Sequence, residues 1–289
     1  TNVRKQNTYN YNSISYKEAV QPVAEMTKLS YTGNVLEPVP GFSLVEAMLP
    51  KNGLNALVYI SDSISLSLGG ETGLRNSNVN KSGIVIAFRG TTTNSDRCAD
   101  FLLWKVDQKL PLWCSMFNRR TLNYTATALE LVRRVKQKYP GIPILYTGHS
   151  LGAALAEMLS LASNGSSPSL CFASGGAKGP SSRFNLLTKS SDITCSVQIV
   201  NPWDPIVHFS MDDQIGYMCV YHNVSEPKPC AKCFQQGRAS IPCEECFNDA
   251  HKYINYLHLL NRNDTPTCFL KTENNLRSAF SVQQDTVKS

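Results

Sequence analysis

The chain has 289 residues, 42% hydrophobic and 17% charged, enough for one large globular domain of ordinary composition. Its net charge of +6 is scattered apart from Arg119-Arg120 and Arg133-Arg134, which argues against a nucleic-acid partner and leaves a mild attraction to anionic membrane surfaces. No stretch approaches the ~18 consecutive apolar residues of a membrane span. The first residue is Thr1, with neither a methionine nor an apolar leader, which reads as a processed or engineered start.

The first forty residues are polar, with a helical patch over 16–29. Residues 56–60 and 83–88 (GIVIAF) read as strands, the second apolar enough to be covered on both faces. Residues 122–139 carry Ala128, Leu131, Val132 and Val135 at helical spacing and stop at Pro140-Gly141. A strand over 142–147 leads into a helix over 151–163 that closes at Asn164-Gly165, and 170–174 and 196–200 are further short apolar runs. Residues 217–240 read as loop within a cysteine-rich stretch reaching about 246, and about 275–289 as a polar tail. Strand, helix and strand alternate, which predicts one α/β domain over 1–289, a mostly parallel sheet covered by helices.

The ten cysteines are an even and high number that fits an oxidising compartment, secreted or lumenal. Sequons at Asn80, Asn123, Asn164, Asn223 and Asn263 make glycosylation an expectation of less weight, because a chain rich in Asn, Ser and Thr generates such triplets by chance.

The stretch ILYTGHSLGAALAEM carries the chemistry. A strand that turns directly into a helix through G-x-S-x-G holds its serine, here Ser150, in a strained conformation above the carboxyl edge of the sheet. The turn is too tight for side chains two residues before and after, hence Gly148 and Gly152 around His149-Ser150-Leu151. The helix N-terminus then aims free N–H groups at the place where an oxyanion forms.

TGHSLGAALA, preceded by IAFRGTT, resembles the class 3 lipases, the fungal triacylglycerol lipase group with its phospholipase and feruloyl esterase relatives, over about 83–257. The resemblance implies an α/β-hydrolase fold, no cofactor, and an oxyanion hole made by the Thr91 N–H and hydroxyl with the Leu151 N–H. Physical reasoning asks for the same second donor, since a tetrahedral oxyanion needs two preorganised donors and one must come from another loop. Arg89 reads as a structural ion-pair residue.

A serine nucleophile needs a general base and a carboxylate that fixes its tautomer, in the chain order Ser, Asp, His on this fold. SVQIVNPWDPIVHF places Asp204 just past a strand, in a loop stiffened by Pro202 and Pro205, and resembles the family's N-x-x-D-x-V-P, with Asp212 and Asp213 as runners-up. FNDAHKYINYL is similar to the family's late D-x-H-x-x-Y and makes His251 the base, with His258 as the alternative.

Three segments depart from the family. Where the lipases carry an apolar lid, this chain has TTNSDRCADFLLW, a polar candidate lid with Thr92, Asn94, Arg97, Cys98 and Phe101. Such a lid is short and polar, or Cys98 pins it by a disulfide for which Cys114 is a candidate partner. CAKCFQQGRASIPCEEC, at Cys230, Cys233, Cys243 and Cys246, reads as two disulfides or, alternatively, a structural zinc site. SGGAKG replaces the family's G-x-P-R-V-G.

The resulting expectation is a secreted, monomeric serine hydrolase acting on lipid acyl esters, of triacylglycerol lipase type, with peripheral contact to lipid. The alternatives are a phospholipase A1, a short-chain or feruloyl-type esterase with a polar lid, an acyltransferase with the same triad, and an inactive lipid-binding pseudo-lipase.

Overall fold

A computed structural model describes residues 13–51, 53–61, 82–104, 111–187, 195–236 and 241–271. Eight strands form one sheet in sequential order: β1 (Ser43–Met48), β2 (Ala56–Ser61), β3 (Gly83–Phe88), β4 (Ile144–His149), β5 (Ser169–Phe172), β6 (Ser196–Val200), β7 (Tyr217–Val220) and β8 (Thr267–Leu270). β3 to β7 run parallel, while β2 runs antiparallel to both β1 and β3, and β8 returns antiparallel along β7.

The helices in chain order are α1 (Ser13–Thr32), α2 (Asn94–Trp104), α3 (Arg119–Leu122), α4 (Tyr124–Lys138), α5 (Leu151–Ala162), α6 (Lys178–Arg183), α7 (Pro205–Phe209), α8 (Lys228–Gln236), α9 (Ile241–Cys246) and α10 (Tyr253–Leu260). They cover the sheet on two sides, and the strand period of two divides the apolar residues between them. In β3, Val85 and Ala87 face a core layer with Val23, Leu29 and Tyr256 from α1 and α10. Ile84, Ile86 and Phe88 face the other layer with Leu131, Leu155 and Leu103 from α4, α5 and α2. All six β3 residues are buried, as a strand covered on both sides requires.

The structure departs from the sequence reading at the sheet margins and in the cysteine-rich stretch. β1 and β8 were not expected. β1 is an edge strand with a half-exposed, mixed pattern, and β8 is four residues whose Cys268 pairs in register with Cys219 of β7 and is bonded to it. The expected loop over 217–240 instead holds β7 and α8, because pairing buries Met218, Cys219 and Val220 and disulfides hold the helical pair. The expected tail over 275–289 and the sequon at Asn80 lie outside the described residues.

Candidate active site

Ser150 follows β4 directly and precedes α5, with φ 58° and ψ −121°, a conformation disfavoured for a residue bearing a side chain. Two glycines make the corner possible. A Cβ on Gly148 would overlap the Gly152 backbone and stand 2.8 Å from the Phe88 carbonyl oxygen, and one on Gly152 would overlap that same oxygen. The first helix turn therefore presses against the end of β3, and the serine hydroxyl is raised at the carboxyl edge of the parallel strands.

Asp204 lies at the same edge, past β6. Its carboxylate caps α7 by accepting the Ile206 N–H at 2.8 Å, and it accepts the Tyr256 hydroxyl at 2.7 Å. It also lies 2.8 and 2.9 Å from His251 Nδ1. A carboxylate can only accept here, so Nδ1 carries the proton and Nε2 presents a lone pair. Nε2 stands 2.9 Å from Ser150 Oγ, and the hydroxyl donates to it. Asp204 and His251 are buried and Ser150 is half-exposed, so the chain opens only the nucleophile to solvent. Three residues dispersed over a hundred positions thus form one hydrogen-bonded line.

His251 ends a π-helical turn, Phe247–His251, that continues α9. α8 and α9 are joined by Cys230–Cys246 and Cys233–Cys243. Each C-x-x-C is an i, i+3 pair on one helix face, so two facing helices zip through two bonds. This overturns the zinc alternative: the four sulfurs are bonded to one another and offer no thiolate, and no metal-binding group of His, Cys, Asp or Glu occurs among the described residues. Asn201 ties the acid loop to the base loop through its Nδ2–H to the Ala250 carbonyl at 3.0 Å.

The second histidine of the corner is neutral and fills a supporting place. His149 Nε2 lies 2.8 Å from the His251 carbonyl oxygen, an acceptor, so Nε2 carries the proton. Nδ1 then accepts the Tyr31 hydroxyl at 2.6 Å, and the Tyr31 oxygen accepts from the Gly90 N–H. Burial, then the nearby His251 charge, holds His149 well below the usual histidine range. Three parts of the site (oxyanion loop, serine corner and base loop) are linked through this ring.

Gly90 sits against the corner, where a Cβ would overlap Tyr31 Oη and stand 3.2 Å from Ser150 Cβ. Thr91 is the next residue, and its Oγ1 is 2.8 Å from Asp100 Oδ2 on α2. Burial, helped by the charge of Asp96 and opposed by the Thr91 hydrogen bond, pushes the Asp100 carboxyl up to about 8. Asp96 is the opposite case. Burial raises it, but Tyr124, the Thr92 and Thr93 N–H groups and Arg89 outweigh burial and hold it below the usual carboxylate range. Arg89 forks onto both Asp96 oxygens at 2.9 and 3.1 Å, which is the structural ion pair expected of it.

Cys98 of α2 is bonded to Cys114 in the 3-10 turn Leu112–Met116. Beneath α2 is a cavity of about 220 Å³ lined mainly by apolar groups, among them Ala99, Leu103, Tyr124, Leu151 and Phe184. Leu151, the residue after Ser150, is among the cavity's lining residues.

Residues 85–214 match the family model described as Lipase (class 3). The match takes in Thr91, Ser150 and Asp204 and ends before His251. No curated protein matches it in sequence. Among solved structures it is similar to a lipase from Rhizopus microsporus var. chinensis, at 14% identity and TM-score 0.47 over 77% of this chain and 80% of that one. It is also similar to the Lip2 lipase of Yarrowia lipolytica, at 15% identity and TM-score 0.43 over 77% and 85%. A third is a triacylglycerol lipase from Penicillium expansum, at 14% identity and TM-score 0.43 over 75% and 83%.

The match to Lipase (class 3) over residues 85–214 supports a lipid ester hydrolase on this helix-covered, mostly parallel sheet. Of the residues expected at the lipase site, the structure brings together Ser150, Asp204 and His251, with Thr91, Leu151 and His149 around them. It leaves aside the alternatives: His258 is exposed on α10, Asp212 is exposed, and Asp213 accepts the Gly179 N–H at 3.1 Å. In the candidate lid, Thr92 donates to Asp96, Asn94 and Arg97 are exposed, Cys98 is disulfide-bonded and Phe101 is half-buried. Tyr31 and Tyr256 were not foreseen as site residues. Tyr256 lies five residues past His251 on the family-like segment, a local signal, whereas Tyr31 has none because its partner is 118 positions away.

Proposed function

We propose that this chain is a class 3 lipase, a secreted hydrolase of triacylglycerol type, using Ser150 as nucleophile, His251 as general base and Asp204 to orient and stabilise it. The Ser150 Oγ to His251 Nε2 distance of 2.9 Å, with Nδ1 held on Asp204, is the observation that carries this reading. Ser150 attacks the ester carbonyl as His251 takes its proton, and the Leu151 and Thr91 N–H groups receive the oxyanion. His251 then protonates the leaving alcohol, and afterwards activates the water that releases the fatty acid.

Asp100 supports a further detail of the hole. The Thr91 hydroxyl donates to Asp100 Oδ2 at 2.8 Å, which anchors the Thr91 side chain on α2 and steadies its N–H at the hole. The apolar cavity beneath α2 supports an acyl chain as the group bound there. Four disulfides support an oxidising compartment outside the cytosol.

A second reading, an esterase of short acyl chains, is favoured by one observation: the outward residues Asn94 and Arg97 of α2 are polar and the helix is pinned at Cys98. Hydrolysis of p-nitrophenyl esters of graded length separates the two. Rates that rise toward long chains support the lipase, rates confined to acetate and butyrate support the esterase, and Ser150→Ala lowers either by about 10⁴-fold or more.

A further inference from the structure

Ten large apolar side chains are exposed among the described residues, and three of them fall within one five-residue turn, Leu112–Met116. Leu112 is 89% exposed, Met116 72% and Trp113 40%. In a 3-10 turn residues three apart share a face, so Trp113 and Met116 project together. The turn cannot fold these groups inward. Cys114 points the other way into its bond with Cys98, on a small core with Leu122 and Phe117, and the Cys114 N–H and Phe117 N–H close the turn at 2.8 and 3.1 Å. Arg97, next to Cys98 in sequence, and Arg120, four residues past Met116, are exposed.

We propose that this disulfide-backed turn, and not α2, is the element that docks the enzyme on an anionic lipid surface. The proposal rests on the lipid ester hydrolase reading for its choice of surface. Three features on the chain point to that occupant. Two flexible apolar groups flank an indole with one polar edge, a set suited to the boundary between head groups and acyl chains. Arg97 and Arg120, both exposed and close in sequence to the Cys98–Cys114 bond, carry positive charge on a chain of net charge +6, which complements anionic head groups. The patch is also continuous with the site, because Leu122 lies under the disulfide and also lines the cavity that reaches Leu151 beside Ser150. Docking here brings the cavity-lining Leu122 toward the lipid boundary while α2 keeps its polar outer residues.

The test uses the whole chain carrying Ser150→Ala, so that lipid is not consumed, and vesicles of phosphatidylcholine with or without phosphatidylglycerol. The parent is expected to sediment with the anionic vesicles, and Leu112→Asp with Met116→Asp to bind at least tenfold more weakly. Arg97→Gln with Arg120→Gln is expected to lose about fivefold per charge on anionic vesicles alone. Tryptophan quenching by brominated phospholipid is expected in the parent and absent in Trp113→Phe. In the Ser150 background, the Leu112→Asp/Met116→Asp variant is expected to hydrolyse soluble p-nitrophenyl butyrate within twofold of the parent, which reports an intact fold. Equal vesicle binding by the parent and the double aspartate variant overturns the proposal, as does a parent dimer that this variant dissociates without vesicle binding by either. The two readings fail separately. Vesicle binding through this turn without turnover of any ester removes the hydrolase and keeps the docking surface, and turnover without vesicle binding does the reverse.

Discussion

Cys98–Cys114 and Cys230–Cys246 each join residues 16 apart, so chain entropy assigns the two the same stabilisation, about 3 kcal/mol. Their surroundings differ. Cys230–Cys246 is doubled by Cys233–Cys243, and the turn it leads into delivers His251, whose Nδ1, Nε2 and carbonyl oxygen are each engaged. Cys98–Cys114 stands alone, joins a cover helix to a turn with three exposed apolar groups, and packs with Leu122, which lines the cavity. The acid–base side is fixed from several directions and the cover side from one. A proton relay tolerates errors of a fraction of an ångström poorly, whereas the acyl side must admit a bulky, variable chain.

That contrast is broken most sharply by removing each disulfide in turn. Replacing Cys230 and Cys246 with Ser is expected to lower stability by about 3 kcal/mol and to lower kcat by tenfold or more, since the base loses its support. Replacing Cys98 and Cys114 with Ser is expected to cost similar stability but to act on KM and on the preferred acyl length. Calorimetry with steady-state kinetics on a short and a long ester separates the two, and equal effects on kcat would remove the distinction.

A smaller effect tests the acid. Tyr256→Phe deletes one donor to Asp204, a hydrogen bond to a charged group, and is expected to lower kcat/KM about tenfold with the fold retained. The rate and a near-ultraviolet dichroism spectrum check it.

The smallest effect lies on the cover side and is one of pH. With the Asp100 carboxyl raised to about 8, it charges as pH rises through that value and holds the donating Thr91 hydroxyl more tightly. kcat is therefore expected to fall a few-fold as pH rises through about 8, and Asp100→Asn, which does not ionise, to lose that limb. The stability sign follows from the same shift. Because the folded state keeps a proton that the unfolded chain releases near the ordinary carboxylate value, this group's contribution falls as pH rises toward 8 and is constant above it. A pH–rate profile and a set of denaturation curves read both.

Much of this was readable in the residues. The buried run of β3, the glycine pair around Ser150 and the spacing of α4 each state a local requirement, and the structure meets each within a few residues. Asp204 and His251 were found because each sits on a segment with its own pattern, a strand end and a late helical start. β1 and β8 escaped because an edge strand needs to satisfy only one partner, so its pattern carries little period. α8 and α9 escaped because covalent bonds between them do work that an apolar stripe usually does. The pairing of those cysteines was open, since spacing alone allows several connectivities. Tyr31 and the role of His149 depend on contacts more than a hundred residues apart, which no local window contains.

The central claim is that Ser150, alone among the serines, is an activated nucleophile. Exposure of the oxidised protein to a fluorophosphonate, followed by peptide mass mapping, tests it directly. The account predicts a single adduct on the peptide carrying Ser150, and its loss in His251→Ala while that variant remains folded. No adduct, an adduct on another serine, or undiminished labelling in His251→Ala would contradict it.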